Sequence, residues 1–343
     1  MEFTNRRAIH HAAANALNRA GEDGKKLFLC YSGTITALSL LSLVVSYVLD
    51  LRIAETGGLS NMGLRSILST VQHILPIAQI IISTCLGFSY QQNVLSMARG
   101  QGADYRTLPG GFRHFFLLVR LTLLQGLIYF AVGFVAMQLS SIIFTFTPFA
   151  QAYYEAVEPL VNSMSVMGTV PALDEATTAA ILNACMPAVW IFIGVLLILV
   201  VPVYFRYRMS MFCLADEPRM GAFLAMHKSR LMLRKRCFDL LKLDFTMWWF
   251  YVLQVLISLV LYSDMLLPIL GVRLPWSQNA SAYLFNGFAV LIQFAVYYFT
   301  LNRVNVTYAV AYDALQQPVQ PEQPVQPEQP AQPNKPFPFQ TEF

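Results

Sequence analysis

The sequence predicts an all-α protein, a polytopic membrane bundle of six transmembrane helices. Apolar residues make up 56% of the 343-residue chain and charged residues only 12%, against about 25% charged in an average soluble domain. The mean hydropathy is +0.51. Uncharged runs long enough to cross a bilayer as a helix occur six times. This composition excludes a soluble enzyme, a secreted disulfide scaffold and a nucleic-acid-binding domain, because such a chain in water would expose large aggregation-prone patches.

Six membrane spans are predicted in order, each helical because lipid offers the backbone no hydrogen-bond partners. The second, third and fourth uncharged runs are longer than a perpendicular helix needs, so tilt or bending is expected there, with Pro76 and Pro187 as bending points. The transmembrane domain 27–315 lies between an N-terminal segment 1–26 and a tail 316–343. Its spans are predicted at about 27–49, 67–91, 121–146, 180–205, 245–267 and 280–302.

Lysine and arginine are distributed unequally between the segments that connect these spans, and this imbalance indicates orientation. Twenty of the 23 lie in the N-terminal segment, the second and fourth connections and the C-terminal end. The outer connection 148–178 has no lysine or arginine and four acidic residues. Six crossings with both ends on the positive side predict that the N- and C-termini are cytoplasmic.

The N-terminal segment predicts a short amphipathic helix over residues 5–20 and not a cleavable signal peptide, because the apolar run that follows it is a full membrane span. Thr4 or Asn5 would cap this helix. It is expected to lie on the cytoplasmic surface with its arginines towards anionic headgroups. The arginines are Arg6, Arg7 and Arg19, and the apolar face consists of Ile9, Ala13, Ala16 and Leu17.

The basic cytoplasmic connection 206–243 predicts a helix that lies in the membrane interface. Asp216-Glu217-Pro218 looks like a turn that begins this helix, since proline is favoured in the first turn. Apolar residues at helical spacing beside regularly spaced lysines are typical of such interfacial helices. The alternative is a loop whose charges only fix the topology. The apolar face would consist of Met220, Phe223, Leu224, His227, Leu231, Phe238 and Leu241. The candidate residues for contact with lipid or a partner are Arg206, Arg208, Lys228, Arg230, Arg234, Lys235, Arg236 and Lys242.

Short motifs in and around this connection resemble the bacterial membrane family known as domain of unknown function 975. They include a proline at the end of a span, Pro202, and the turn Ala215-Asp216-Glu217-Pro218. Further matching segments are 98–100, 108–113, 227–236, 238–245 and 308–315. The chain departs from the pattern at Val203, where the family usually has glycine, and over 262–267, where it has a glycine-rich stretch. The resemblance implies a six-span protein of the bacterial plasma (inner) membrane with no established activity and no catalytic residue to carry over.

A search for catalytic or metal-binding constellations gives none. The sequence has no HExxH, GxSxG or P-loop motif, no aspartate pair within a span, and five cysteines without metal-ligand spacing. We therefore expect no enzyme activity, cofactor or metal. Polar residues within the spans are expected to hydrogen-bond neighbouring helices, although a polar path for a solute is the alternative. The candidates are His73, Gln79, Gln125 and Gln293.

The Pro/Gln-rich C-terminal tail is a low-complexity segment, predicted to be disordered. Residues 317–334 repeat every six positions, with proline at every third residue from Pro318 to Pro336. Such a stretch favours polyproline II, which presents its prolines as one stripe. The tail therefore either docks a PxxP-binding partner or has no partner.

The sequence thus predicts a non-enzymatic membrane protein whose role is interaction. It would be an accessory or scaffold subunit, or an organiser of the envelope, acting through the basic interfacial helix. Its expected partners are anionic lipid headgroups and another membrane protein or a second copy, with no nucleic acid. The alternative is a transporter or lipid-handling protein with a polar path between spans two, three and six.

Overall fold

The computed structural model describes residues 5–55, 62–167, 175–261 and 280–316. Of these residues 92% are helical and none is in a strand, which confirms the all-α class. The helices are α1 Arg6–Glu55, α2 Met62–Ala98, a 3₁₀ helix Tyr105–His114, α3 Phe115–Thr145, α4 Phe149–Met167, α5 Glu175–Tyr207, α6 Ser210–Asp216, α7 Ala222–Leu233, α8 Cys237–Thr246, α9 Trp248–Leu261 and α10 Ala280–Gln316.

Four described helices are long and apolar enough to cross a membrane, and α8 with α9 makes a fifth if the two are one span broken by a 75° bend. At most 17% of the residues in their apolar windows are buried inside the protein. Their large side chains therefore point outwards, as with Phe130 on α3 and Ile198 on α5. Exposed apolar surface of this extent is typical of helices in a membrane. The sixth predicted span is the first part of α10, whereas 262–267 of the fifth lies outside the described residues.

Helices α2 and α10 both run antiparallel to α1. Near the middle of α1, Gln79 Nε2 donates to Ser39 Oγ at 2.9 Å. At the far end of α1, Asp50 accepts hydrogen bonds from Gln72 on α2 and Tyr283 on α10. The second group of long helices is α3 with α5, against which α4 also packs. Helix α4 lies in the first part of the connection 148–178, for which the sequence predicted no helix.

The N-terminal amphipathic helix is the first part of α1. The Asn5 side chain accepts a hydrogen bond from the Ala8 backbone N–H at 3.1 Å, which confirms Asn5 as the cap. The chain bends at Gly21 (φ 54°, ψ −127°), a conformation that favours glycine. The membrane-spanning part of α1 follows this bend. Ile9, Ala13 and Ala16 are buried against the rest of the protein, so this face does not lie on lipid.

Most of the buried core lies at one end of the molecule, which contains the N-terminal segment and the two basic connections; we call this the basic end. The first part of α1, the ends of α2 and α10, the 3₁₀ helix and α6–α8 pack together there. The glycine-rich 3₁₀ helix touches α2 closely, because a Cβ on Gly111 would stand 1.9 Å from the Cys85 carbonyl oxygen. Asn93 on α2 fixes this connection by donating to Thr107 Oγ1 at 2.7 Å.

The prediction of one helix running from Pro218 through the basic connection is wrong. Three short helices, α6, α7 and α8, occupy it. Helix α7 begins at Ala222 after Gly221, and 234–236 form a turn between α7 and α8. The break lets α7 pack on α3, α5 and α6 while α8 packs on α5.

Candidate functional site

Helix α7 buries mainly small side chains, helix α8 buries Leu240 and Leu243, and both helices expose large apolar side chains. Ala222, Ala225 and Ser229 are buried, and the Ser229 hydroxyl donates to the Arg206 carbonyl oxygen at 2.9 Å. Small residues let α7 lie close against the bundle. Part of the predicted apolar stripe points outwards, with Phe223 71% and Phe238 76% exposed, whereas Met220 and Leu241 pack against the buried core. Leu224 and Leu231 are exposed beside them.

Basic side chains surround this exposed apolar stripe. Arg230, Arg234, Lys235 and Lys242 are all exposed. We call them, together with Phe223, Leu224, Leu231 and Phe238, the elbow surface. Exposed apolar side chains flanked by cations are typical of a helix that enters the boundary of a membrane or meets a partner.

The other predicted cations lie elsewhere. Arg206 is exposed at the end of α5, and Arg236 is half-buried in the turn. Lys228 makes an ion pair with Glu217 at 2.8 Å, so that its charge is already compensated. Arg208 is not an interface residue: its side chain is only 12% exposed, and that prediction is wrong.

Arg208 is the centre of a buried polar cluster. It pairs with Asp244 and donates to the Tyr251 hydroxyl at 2.6 Å. Its guanidinium also lies over the Tyr308 ring, 4.2 Å from the centroid. Tyr308 in turn donates from its hydroxyl to Asp244 at 2.5 Å. A charge can be buried only with such partners, and here they join the end of α5 to α8, α9 and α10.

A second polar cluster joins the ends of α2, α6 and α10. Arg99 contacts Asp216 at 2.6 Å and Asp313 at 2.8 Å. Hydrogen bonds to Asp313 and Asp216 raise the pKa of Arg99. Burial opposes ionisation of Asp216, but hydrogen bonds from Arg99 and Gln316 outweigh it and lower the pKa of this carboxyl. The Tyr312 hydroxyl also donates to Asp216, at 3.1 Å.

The residues predicted to form the turn at the beginning of the interfacial helix, Asp216 and Pro218, do not begin a helix in the structure. Asp216 ends α6 and joins three helices instead of beginning α7. Pro218 lies in the short link between α6 and α7, and Pro202 is exposed within α5. No sequence signal pairs Arg99 with Asp216, because the two are 117 positions apart.

The intramembrane polar residues bind different neighbours. Gln79 bonds Ser39 on α1, whereas Gln293 donates to Tyr297, which donates to Gln254 on α9. Gln125 lies on α3, and His73 donates to the carbonyl of Ser69 on its own helix, at 2.6 Å. None of the hydrogen bonds among the described residues brings Gln79, Gln125 and Gln293 together.

No group of three or more His, Cys, Asp or Glu side chains in the described part of the chain is placed to hold a metal ion. The cysteines, all in described segments, are free thiols. Comparison with protein-family models, with characterised proteins and with solved structures gives no match. The resemblance noted above therefore stays a prediction.

Proposed function

We propose that this protein is a non-enzymatic, multi-pass membrane protein that acts as an accessory or scaffold subunit, or as an organiser of the envelope. The observation that carries the proposal is the elbow surface, where Phe223 and Phe238 are exposed beside Arg230, Arg234 and Lys235. Each phenylalanine gains roughly 1.5–3 kcal/mol when it leaves water. Each cation near an anionic membrane adds about 1 kcal/mol.

The elbow surface is a fixed platform and not a loose loop. Helix α7 is fixed against the bundle by its buried face, and the Arg208 cluster joins α8 to α9 and α10. The apolar side chains are therefore presented in one orientation without an ordering cost on binding, which favours stable association.

We place the protein in a bacterial plasma membrane with six spans and both termini cytoplasmic. This topology is supported by the antiparallel course of α10 against α1, which a sixth alternating span requires. It is also supported by the packing of the first part of α1, the 3₁₀ helix and α6–α8 at one end. Labelling single cysteines placed at the exposed Asn18 and in the 148–158 region from each side of the membrane tests the orientation. Labelling of both positions from the same side contradicts it.

The function is tested by reversing the unpaired charges of the elbow surface. The triple variant Arg230→Glu, Arg234→Glu, Lys235→Glu should lose a stoichiometric protein partner when the protein is extracted gently and weighed by native mass spectrometry. Lys228 is left intact because it already pairs with Glu217. A matched control reverses Arg19, Lys25 and Lys26, which are also exposed but lie on α1.

Phe223→Ser with Phe238→Ser removes the apolar half of the surface without a change of charge, and it should lose the same partner. Recovery of an equal amount of partner with both variants contradicts the proposal. The polar-path alternative stays a prediction, and transport that depends on Gln79, Gln125 and Gln293 would support it. The hydrogen bonds of Gln79 lead to α1, whereas those of Gln293 lead through Tyr297 to α9.

A further inference from the structure

A basic cavity opens where the first turn of α1 meets the break between α8 and α9. Its volume is about 470 Å³, and it is lined by Asn5, Arg6, Arg7 and Thr246. It lies outside the elbow surface and uses none of that surface's residues. The cavity is large enough for the polar headgroup of a phospholipid.

Hydrogen bonds and burial fix the two walls of this cavity against each other. The Thr246 hydroxyl donates to the Leu243 carbonyl oxygen at 2.6 Å, so its oxygen is free to accept from His10 Nε2 at 2.7 Å. Ile9, beside His10, is fully buried and anchors the same turn of α1. The two walls of this open cavity are therefore held in place by packed structure, while the residues that line it are exposed.

Among the described residues, the charge around the cavity is positive and has no carboxylate paired with it. Arg6 and Arg7 are exposed, and neither makes an ion pair with any described carboxylate. Arg303, which follows the predicted span within α10, lies near His10: burial first, and then this neighbouring charge, lower the pKa of His10. Arginines converging on one cavity without a carboxylate are suited to bind phosphate, which accepts charge-assisted hydrogen bonds.

The cavity also lies at the predicted boundary of the membrane. Thr246 is at the beginning of the fifth predicted span, and Arg303 directly follows the sixth. The neighbouring side chains Phe245 and Trp248 are exposed and apolar, and tryptophan is typical of this level of a bilayer. A phosphate group that enters the cavity from the membrane, past Phe245 and Trp248, would be the headgroup phosphate of a phospholipid.

We propose that this cavity is a binding site for one anionic phospholipid, with Arg6 and Arg7 contacting its phosphate and Phe245 and Trp248 beside its acyl chains. The site is independent of the proposed scaffold function. It would hold one defined lipid between the N-terminal helix and the bent fifth span.

Native mass spectrometry of the full-length protein tests this site. The protein is stripped of lipid in detergent and titrated with phosphatidylglycerol, with zwitterionic phosphatidylcholine of the same chains, or with inorganic phosphate. We expect one phosphatidylglycerol per chain to bind at least ~tenfold more tightly than phosphatidylcholine. Arg6→Gln with Arg7→Gln should weaken this binding by about tenfold or more.

The matched control is Arg19→Gln with Lys25→Gln, which removes two exposed cations from the same helix and should retain the lipid. Arg6→Lys with Arg7→Lys keeps both positive charges and should retain part of the lipid affinity. It shows whether the loss in the glutamine variant comes from the missing charge or from misfolding. Equal binding of the two lipids by the unaltered protein, or an unchanged affinity in the Arg6/Arg7 glutamine variant, overturns the proposal. Displacement of the lipid by millimolar inorganic phosphate would overturn the lipid as the source and leave a soluble phosphate compound as the ligand.

Discussion

The substitution Asp244→Asn should destabilise the protein strongly, because it leaves the Arg208 guanidinium buried without a negative partner. Both side chains are close to nine-tenths buried, at 12% and 11% exposure. Removing one member of such a pair costs about 3–5 kcal/mol. Asn keeps the shape and can still accept the Tyr308 hydroxyl, so that the loss reports the charge and not a cavity.

A double-mutant cycle separates the ion pair from the rest of the cluster. Arg208→Met should be costly alone, but the Arg208→Met, Asp244→Asn double variant removes both charges and should lose much less than the sum of the single losses. A coupling energy of roughly 1.5–3 kcal/mol is expected. The assay is reversible unfolding of the purified protein in mixed detergent micelles, followed by circular dichroism.

The control pair lies on the same helix. Asp239 and Lys242 stand 3.8 Å apart, with side chains 32% and 57% exposed. Exposed pairs contribute about 0–1 kcal/mol, so Asp239→Asn should have little effect. The reasoning is refuted if Asp244→Asn costs no more than Asp239→Asn, or if the double variant is additive.

Three further predictions concern the connections at the basic end. Gly111→Ala should lower the unfolding free energy by at least ~1–3 kcal/mol, because its Cβ would stand 1.9 Å from the Cys85 carbonyl oxygen; a thermal shift of less than two degrees would contradict that contact. Gly21→Ala should cost about 1–3 kcal/mol, because alanine is strained at φ 54°, and an unchanged midpoint in the same unfolding assay would argue against the bend. The pKa of His10 is lowered from 6.5 in the folded protein. The stability that neutral His10 contributes is therefore complete above pH 6.5 and is lost as the pH falls through the pKa of His10 in the folded protein. Amide exchange over residues 6–20 should therefore accelerate in mild acid, and His10→Gln should remove the pH dependence; equal dependence in both proteins would exclude His10 as its cause.

Much of the N-terminal segment could be predicted from local pattern. The Asn5 cap, the buried face of Ile9, Ala13 and Ala16, and the end of this helix near Gly21 follow from helical periodicity and capping chemistry. The same reasoning expected this helix to lie on the cytoplasmic surface with its arginines towards lipid headgroups and did not say what its apolar face contacts, which in the structure is protein. Periodicity identifies an apolar face but does not say what covers it.

The elbow surface was predicted in part. The exposed stripe of Phe223, Leu224, Leu231 and Phe238 was recognised from its spacing. The break at 234–236 was missed, since no proline or glycine marks it. It depends on packing between helices: α7 lies against α3, α5 and α6, whereas α8 lies against α5. The role of Arg208 was missed because Asp244 and Tyr308 lie far from it along the chain.

Chain composition and the length of the apolar runs are enough to predict a helical membrane protein, because they set the cost of exposing backbone and side chains to each solvent. Which cations are free to bind depends on the packing of the helices. Arg99 and Arg208 are neutralised by carboxylates brought from distant helices, whereas Arg6, Arg7, Arg230 and Arg234 stay exposed without a described carboxylate partner. A charge is compensated by what lies within a few ångströms of it, and that distance is set by packing between helices and not by position along the chain.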